Sequence, residues 1–274
     1  MENLLSSPKP IITLLTDFGS QDYFVAAMKG VILSINPAAQ IVDITHEIPP
    51  QDIHAAAFNL LATYKDFPAN TINLAVVDPG VGSTRRAVLI ECAGQFFVGP
   101  DNGIFSWVCE REGTYNAIHL TNENYFRHPV SATFHGRDIF APVAAALSKG
   151  GALDEFGPAI KNLIHLDPLR PKILSDGVTE ASIIYIDRFG NCITNLTRAI
   201  LGDDLSRVKL VVSGREISSF RRYYREAEDK ESEVFCVIGS AGFLEIVAAN
   251  RSAAAILDAR RGQTVSLVSQ PNGK

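Results

Sequence analysis

The sequence is poor in several features that would each announce a class of protein. Its 274 residues include one tryptophan, two methionines and four cysteines. Cys92, Cys109, Cys192 and Cys236 lie far apart, with no CxxC pair among them. That spacing argues against a disulfide framework or a zinc site and for reduced, mostly buried thiols of a cytoplasmic protein. No apolar run exceeds the length of a strand, so none is long enough to span a bilayer. An excess of basic charge is also missing. There are 25 Lys and Arg against 30 Asp and Glu, a net charge of −5, which excludes the basic footprint of a general nucleic-acid binder. The densest basic run, Arg221, Arg222 and Arg225, is offset by Glu226, Glu228, Asp229 and Glu231 and reads as a solvated loop or helix face. The opening MENLLSSPKP carries neither the basic nor the apolar region of a signal peptide. Repeats and low-complexity stretches are absent too.

What remains is an ordinary globular composition, 46% hydrophobic and 20% charged, with length for one large domain or two modest ones. IITLLT (11–16) is a buried-strand run ending at Asp17. DYFVAAMKGVILSI (22–35) has helical spacing, with Asp22 as its expected N-cap and Asn36-Pro37 as its stop. QIVDIT (40–45), DIHAAAFNLLATYKDF (52–67) and TINLAVVD (71–78) read as strand, helix and strand. This alternation predicts a mostly parallel sheet sandwiched by helices. Ligands of such sheets sit beyond the C-terminal strand ends, where Asp17 and Asp78 fall. Segments 86–94 and 95–103 look like paired strands, and 104–112 and 137–150 like helices, the latter closed by a glycine. A proline-dotted passage follows over 156–177. After it the pattern changes to short β-rich segments separated by turns, with one helix in RSAAAILDAR. The expected organisation is an N-terminal α/β domain (1–167), a linker (168–177) and a C-terminal all-β domain (178–274), a small antiparallel barrel.

Several motifs invite chemistry. Asp17 in TDFGS is either a helix cap or an acceptor for two ribose hydroxyls. VVDPGVGSTRR (76–86) sets a proline and two glycines directly after a buried strand, a tight loop that fixes Asp78 at the strand tip. It matches neither a phosphate-binding loop nor a dinucleotide fingerprint. DRFGNCITN (187–195) offers an Asp and an Asn beside an aromatic, suited to an ammonium group and an adenine edge, or to a plain hairpin. GPDNG (99–103) and GSAGFLEI (239–246) are turn signals. His135 in ATFHGRDIFAP has three readings. As a core residue it lacks neighbours to satisfy both ring nitrogens. As a metal ligand it would need His128 and Asp138, without any supporting spacing. A catalytic group beside Gly136, which leaves room for a small ligand, fits best.

Together these motifs resemble the S-adenosyl-L-methionine (SAM) hydrolases, the SAM hydroxide adenosyltransferases related to the fluorinase and chlorinase. The resemblance runs nearly end to end, from TDFGSQDYFVAAMKG through IVDITHEIPPQDI, VVDPGVGSTRR, GPDNG and FHGRDIFAP to DRFGNCITN and GSAGFLEI. It implies an N-terminal α/β domain, a C-terminal β-barrel, and a homotrimer binding SAM between one subunit's first domain and its neighbour's second. It also implies a catalytic Asp-Arg-His set, here Asp78, Arg85 and His135. The fluorinase has tyrosines in place of the Asp and the His and a halide-binding serine at Gly136, so the set places this chain with the water-using branch. By the same resemblance Asp17 binds the ribose, Asp187 the methionine ammonium, Asn191 the adenine and Ser240 the methionine. Two departures stand out: Ala241 replaces the halogenases' carboxylate-binding arginine, and Gln51 replaces the fluorinase's stacking aromatic. The expected reaction is hydrolysis of SAM to adenosine and L-methionine by attack of an activated water on C5′, without metal or cofactor. The rivals are a halogenase, a non-catalytic SAM or adenosine binding module, and a metal-dependent nucleotide hydrolase.

Overall fold

The computed structural model describes residues 9–174, 178–202, 204–205, 208–224 and 233–269. Arg225 and the acidic residues after it, read above as a solvated segment, lie outside the described residues, as do residues 175–177 of the expected linker. The chain divides into two compact units, Met1–Pro168 and Leu169–Lys274.

The first unit is a seven-stranded mixed sheet covered by helices. Its elements are β1 (Ile11–Thr16), α1 (Phe24–Ile35), β2 (Gln40–Thr45), α2 (Ile53–Thr63), β3 (Ile72–Val76), β4 (Ala87–Cys92), β5 (Gln95–Pro100), α3 (Ser106–Glu112), β6 (Tyr115–His119), α4 (Ala141–Leu147) and β7 (Ala159–Ile160). The strand order is β2-β1-β3-β5-β4-β6-β7. The pairs β2–β1, β1–β3 and β3–β5 are parallel, and the remaining pairs antiparallel. Five of six residues of β1 and all five of β3 are buried. A strand covered on both faces has no polar side to alternate with, which is why both read as mainly apolar runs, interrupted only by Thr13, Thr16 and Asn73. Edge strand β2 has no fully buried residue.

Met28, Val31 and Ile32 of α1 join α4 and one face of β1 and β3 in a single apolar cluster, while α2 packs on α3. The chain leaves β1 for β2 on one side and then crosses to β3 on the other. The crevice between the carboxyl ends of β1 and β3 is therefore the topological switch point, where open α/β sheets bind ligands.

Through the sheet centre runs a buried polar ladder. Thr13 Oγ1 donates to Asn73 Oδ1 at 3.0 Å, Asn73 Nδ2 to Gln95 Oε1 at 2.9 Å, and Gln95 Nε2 to the Tyr64 and Phe67 carbonyls. Every member is paired, so the ladder ties three strands in register without leaving an orphaned buried group.

Two expectations for helix starts are corrected. Asp22 does not cap α1: the cap is Tyr23, with no side-chain hydrogen bond. Its ring stacks on Phe24 at 4.5 Å, so aromatic packing rather than a carboxylate sets the entry. The helix expected over 137–150 begins as a π-helical turn, Gly136–Phe140, before α4. Pro142 has no N–H for the Asp138 carbonyl, which instead accepts from Arg127 N at 2.8 Å. The ladder slips by one residue, and Ala141 N reaches the Gly136 carbonyl. Such turns concentrate at functional sites.

The second unit is antiparallel. It contains β8 (Lys172–Ile173), β9 (Val178–Ile186), β10 (Cys192–Thr197), α5 (Arg198–Leu201), β11 (Val208–Val212), β12 (Arg215–Ile217), β13 (Val234–Ile238), β14 (Phe243–Ala248), α6 (Ala253–Leu257) and β15 (Thr264–Ser269). The order is β12-β11-β15-β9-β10-β14-β13, with β8 on β9; β8 thus lies inside the stretch expected as linker. Past β12, Arg221 N donates to the Cys236 carbonyl and Cys236 N to the Ser219 carbonyl, both at 2.8 Å. These bonds join the last strand to the chain leaving the first and nearly close a barrel, filled by Ile183, Leu196, Leu210, Leu244, Ile246 and Leu267 among others. All four cysteines are free and buried. Among the described residues no helix is long and apolar enough to cross a membrane.

The polar ladder predicts that Asn73→Ala, which strips partners from Thr13 and Gln95, destabilises the first unit by about 2–4 kcal/mol. Urea unfolding followed by fluorescence of Trp107, the single tryptophan of the chain, measures this.

Candidate active site

Asp78 follows β3 at the switch point and opens a loop closed on itself by Val81 N to the Asp78 carbonyl and Ser83 N to the Gly80 carbonyl. The glycines in this loop have separate tasks. A Cβ on Gly80 would press on the Arg85 side chain at 3.3 Å. One on Gly82, at φ +76°, would strike the Ala132 carbonyl oxygen at 2.3 Å. Gly82 therefore lets the loop lie against the segment that leads to His135.

The result is a compact trio. Arg85 Nε donates to Asp78 Oδ1 at 2.9 Å and Oδ2 at 3.0 Å, and Arg85 Nη2 also binds Oδ2. The same Nη2 lies 2.7 Å from His135 Nδ1. The guanidinium sits 5.2 Å from the Phe140 ring centroid. The Arg85 and Asp78 side chains are only 9% and 5% exposed, so each charge depends on the other. A guanidinium has no lone pair to offer. Nδ1 must therefore be the acceptor, and the neutral ring carries its proton on Nε2. Burial and the Arg85 charge both hold the His135 imidazole below its usual range, which keeps it in this neutral form.

Asp78 and His135 line a cavity of about 450 Å³ together with Asp17, Phe18, Phe24 and Phe134. Arg85 stands behind them and joins them. Phe134 meets Phe18 and Phe24 edge-on at 5.9 and 5.3 Å between centroids, forming an aromatic wall. Asp17 Oδ2 accepts from Gln51 N at 2.8 Å. Half-burial, with Asp78 nearby, raises the Asp17 carboxyl above its usual range. Gln51, at the place expected for an aromatic, thus contributes its backbone, held at φ 66°.

The structure brings His128 and Asp138 to other tasks than joining His135 around a metal. Asp138 is fully buried and takes two bonds from Arg137 and one from Ser131 N, while His128 Nε2 contacts the Glu123 carbonyl. Among the described residues no three His, Cys, Asp or Glu side chains converge in a metal-holding group.

The remaining candidates meet in the second unit, around a cavity of about 950 Å³ lined by Asp187, Asn191 and Ser240. Asp187 Oδ1 accepts the N–H groups of Phe189 (2.9 Å) and Asn191 (2.8 Å), and Oδ2 accepts Asn191 Nδ2 at 2.8 Å. This Asx turn locks the Asn191 amide in one orientation, amide nitrogen inward to Asp187. Gly190, at φ +82°, gives passage to Ser252, whose Oγ a Cβ would meet at 2.0 Å. Ser240 lies in the turn closed by Gly242 N to the Gly239 carbonyl.

Two side chains of this cavity escape the motif reading, Glu245 and Tyr224. The tyrosine hydroxyl donates to Glu245 Oε2 at 3.3 Å, and burial, with Asp187 nearby, raises the glutamate carboxyl. Glu245 does lie within GSAGFLEI, and its alternation with buried Leu244 and Ile246 is the signal that could have found it. The aromatic wall had a comparable signal in the phenylalanines of TDFGS and FHG.

Comparison with known proteins agrees with this architecture. Residues 12–157 match the SAM hydroxide adenosyltransferase N-terminal domain and residues 181–266 its C-terminal domain. An (R)-S-adenosyl-L-methionine hydrolase of Salinispora tropica is 44% identical over 190 residues, 68% of this chain and 71% of the relative. A fluorinase of Actinoplanes sp. is more distant, 29% identical over 70% of this chain and 73% of its own. The crystal structure of an uncharacterized conserved protein from Thermotoga maritima superposes with a TM-score of 0.86 at 33% identity, covering 94% of this chain and 99% of the other.

Gly82→Ala is expected to push the 78–85 loop off the Ala132 carbonyl and to cost about 1–3 kcal/mol, read as a lower urea midpoint by Trp107 fluorescence. Gly19→Ala, at φ +67° but with open space around it, should cost less. With both domain models matched in order along one chain, this protein belongs to the SAM hydroxide adenosyltransferase family.

Proposed function

We propose that this protein hydrolyses SAM to adenosine and L-methionine. The observation that carries the reading is the Asp78–Arg85–His135 trio at the cavity wall, in a chain whose relatives include (R)-S-adenosyl-L-methionine hydrolases. The sulfonium makes C5′ electrophilic and methionine a neutral leaving group, so the reaction needs chiefly an aligned, partly desolvated water.

In this reading Asp17 takes the ribose hydroxyls, and Asp187, Asn191 and Ser240 take the amino-acid and adenine ends. The nucleophilic water sits between Asp78 and His135. His135 Nε2–H donates to the water oxygen and aims a lone pair at C5′. The C5′–O bond forms as the C5′–S bond breaks and its electron pair leaves with the thioether sulfur. The water proton passes to Asp78 and then to solvent. His135 is a poor base here, because Nδ1 is occupied by a donor that does not release its proton. Arg85 positions both partners through its hydrogen bonds to Asp78 and His135. No metal or further cofactor enters this scheme, and EDTA should leave turnover intact.

Three finer proposals go with this: a homotrimer, with SAM held between one subunit's first domain and its neighbour's second, which the resemblance supports; a cytoplasmic location, which the four free cysteines favour; and a small molecule, not nucleic acid or membrane, as the partner, in keeping with the net charge of −5. Light scattering of the purified protein tests the trimer.

Incubation with SAM in ¹⁸O-labelled water should place label in the 5′-hydroxyl of adenosine, and added chloride should yield no 5′-chloro product. Unlabelled adenosine would reject direct attack at C5′. His135→Ala and Arg85→Ala should each lower kcat by about 10²–10⁴-fold and change SAM affinity far less.

The rate should also report the imidazole. Its pKa is depressed, so the neutral form persists through neutral pH, and kcat/KM should fall only as pH drops through a midpoint below the ordinary value of 6.5. The unfolded chain takes up its proton first, so folding stability should decline as pH falls from the unfolded-state value and level off once pH has passed below the folded-state one. A His135→Gln variant should lose this limb.

A further inference from the structure

His46 follows β2, on the edge of the sheet, and nothing in the proposed reaction uses it. Its side chain is nonetheless only 10% exposed. A β-bulge between Leu14 and Leu15, which pair with Asp43 and Thr45, advances β2 relative to β1 and brings His46 beside the end of β1. There His46 Nδ1 lies 2.9 Å from Thr16 Oγ1, and Thr16 Oγ1 in turn accepts Phe18 N at 3.3 Å. The His46 carbonyl accepts Gly19 N at 2.8 Å. Within the turn 16–19, therefore, Thr16, Phe18 and Gly19 are all tied to His46, directly or through one hydroxyl. The residue between those ties is Asp17, whose Oδ2 is held by Gln51 N.

The other side of the ring explains its orientation. His46 Nε2 is 3.1 Å from Asp43 Oδ1, a close contact without hydrogen-bond geometry, and has no hydrogen-bond partner among the described residues. Lys29 Nζ fixes Asp43 from the opposite oxygen at 2.6 Å. With a carboxylate facing Nε2, the ring proton belongs there. Nδ1 is then the acceptor for the Thr16 hydroxyl proton, which frees a Thr16 lone pair for Phe18 N. Lys29–Asp43, His46–Thr16 and Thr16–Phe18 are then matched donor–acceptor pairs, and the Asp43–His46 contact links them by charge rather than by an aligned hydrogen bond.

We propose that His46 is a positioning residue for Asp17, holding the 16–19 turn so that the Asp17 carboxylate faces the cavity and meets the ribose hydroxyls. The proposal rests on the reading of Asp17 as the ribose acceptor. His46 does not touch substrate in this account; it acts through the turn. Asparagine at the same position would set its amide oxygen near the place of Nδ1 and still accept from Thr16, without reaching Asp43.

The test is a double-mutant cycle read by adenosine affinity in calorimetry and by KM and kcat for SAM. His46→Ala should weaken adenosine binding and raise KM about tenfold while kcat changes less than about threefold, and His46→Asn should restore most of the loss. In an Asp17→Ala background, His46→Ala should add nothing. Should His46→Ala not fold, Thr16→Val, which removes only the hydroxyl, takes its place in the cycle with the same expectation. Additive losses in the double variant, or a fall in kcat that asparagine does not rescue, would overturn the proposal while leaving Asp17 in its role. If the wild type binds no adenosine, or Asp17→Ala alone has no effect, the ribose assignment fails and this inference fails with it.

Discussion

One guanidinium organises the cavity wall of the first unit. Arg85 neutralises a carboxylate that is 5% exposed and, through the same terminal nitrogen, occupies one nitrogen of an imidazole. Remove it and Asp78 becomes an unpaired buried charge, which costs several kcal/mol. His135 would lose the contact that selects its tautomer. The surrounding loop is shaped to allow this: Gly80 leaves space for the Arg85 side chain, Gly82 lets the loop meet the Ala132 carbonyl, and Phe140 offers the guanidinium an aromatic face.

The trio stands where it does because of strand order. With β1 between β2 and β3, the carboxyl ends of β1 and β3 open a crevice, and both ends carry an aspartate. The second unit reaches a similar end by other means. Its polar groups come from hairpin turns of a nearly closed barrel, where Asp187 and Asn191 orient each other. Rigid sheet and barrel thus present side chains whose own freedom is spent on neighbouring backbone and amide groups, the preorganisation that a reaction limited by alignment requires.

Much of this was legible in the residues. The mainly apolar runs 11–16 and 71–77 marked central strands, and Asp17 and Asp78 were identifiable as strand-end carboxylates. The proline and glycines of VVDPGVGSTRR signalled a constrained loop. Illegible were features resting on distant partners. Pro142 is plain in the sequence, but a π turn rather than a simple break depends on Arg127 capturing the Asp138 carbonyl. Asp22 looked like a cap because residue type was visible and the Tyr23–Phe24 stacking was not. Gln51 looked like a lost contact because only its side chain could be compared, whereas its backbone N–H does the holding. The pairing of Tyr224 with Glu245 and the bridge that brings the barrel ends together cross many residues and leave no local pattern.

The proposed chemistry turns on which nitrogen of His135 bears the proton, since that decides whether Asp78 or the imidazole is free to accept the proton from water. Nitrogen-15 NMR of the histidine-labelled protein, assigned with His135→Gln, reads this directly. The structure predicts an unprotonated Nδ1 and a protonated Nε2 at neutral pH, with Arg85→Ala abolishing the preference. A proton on Nδ1, or a doubly protonated ring at neutral pH, would contradict it.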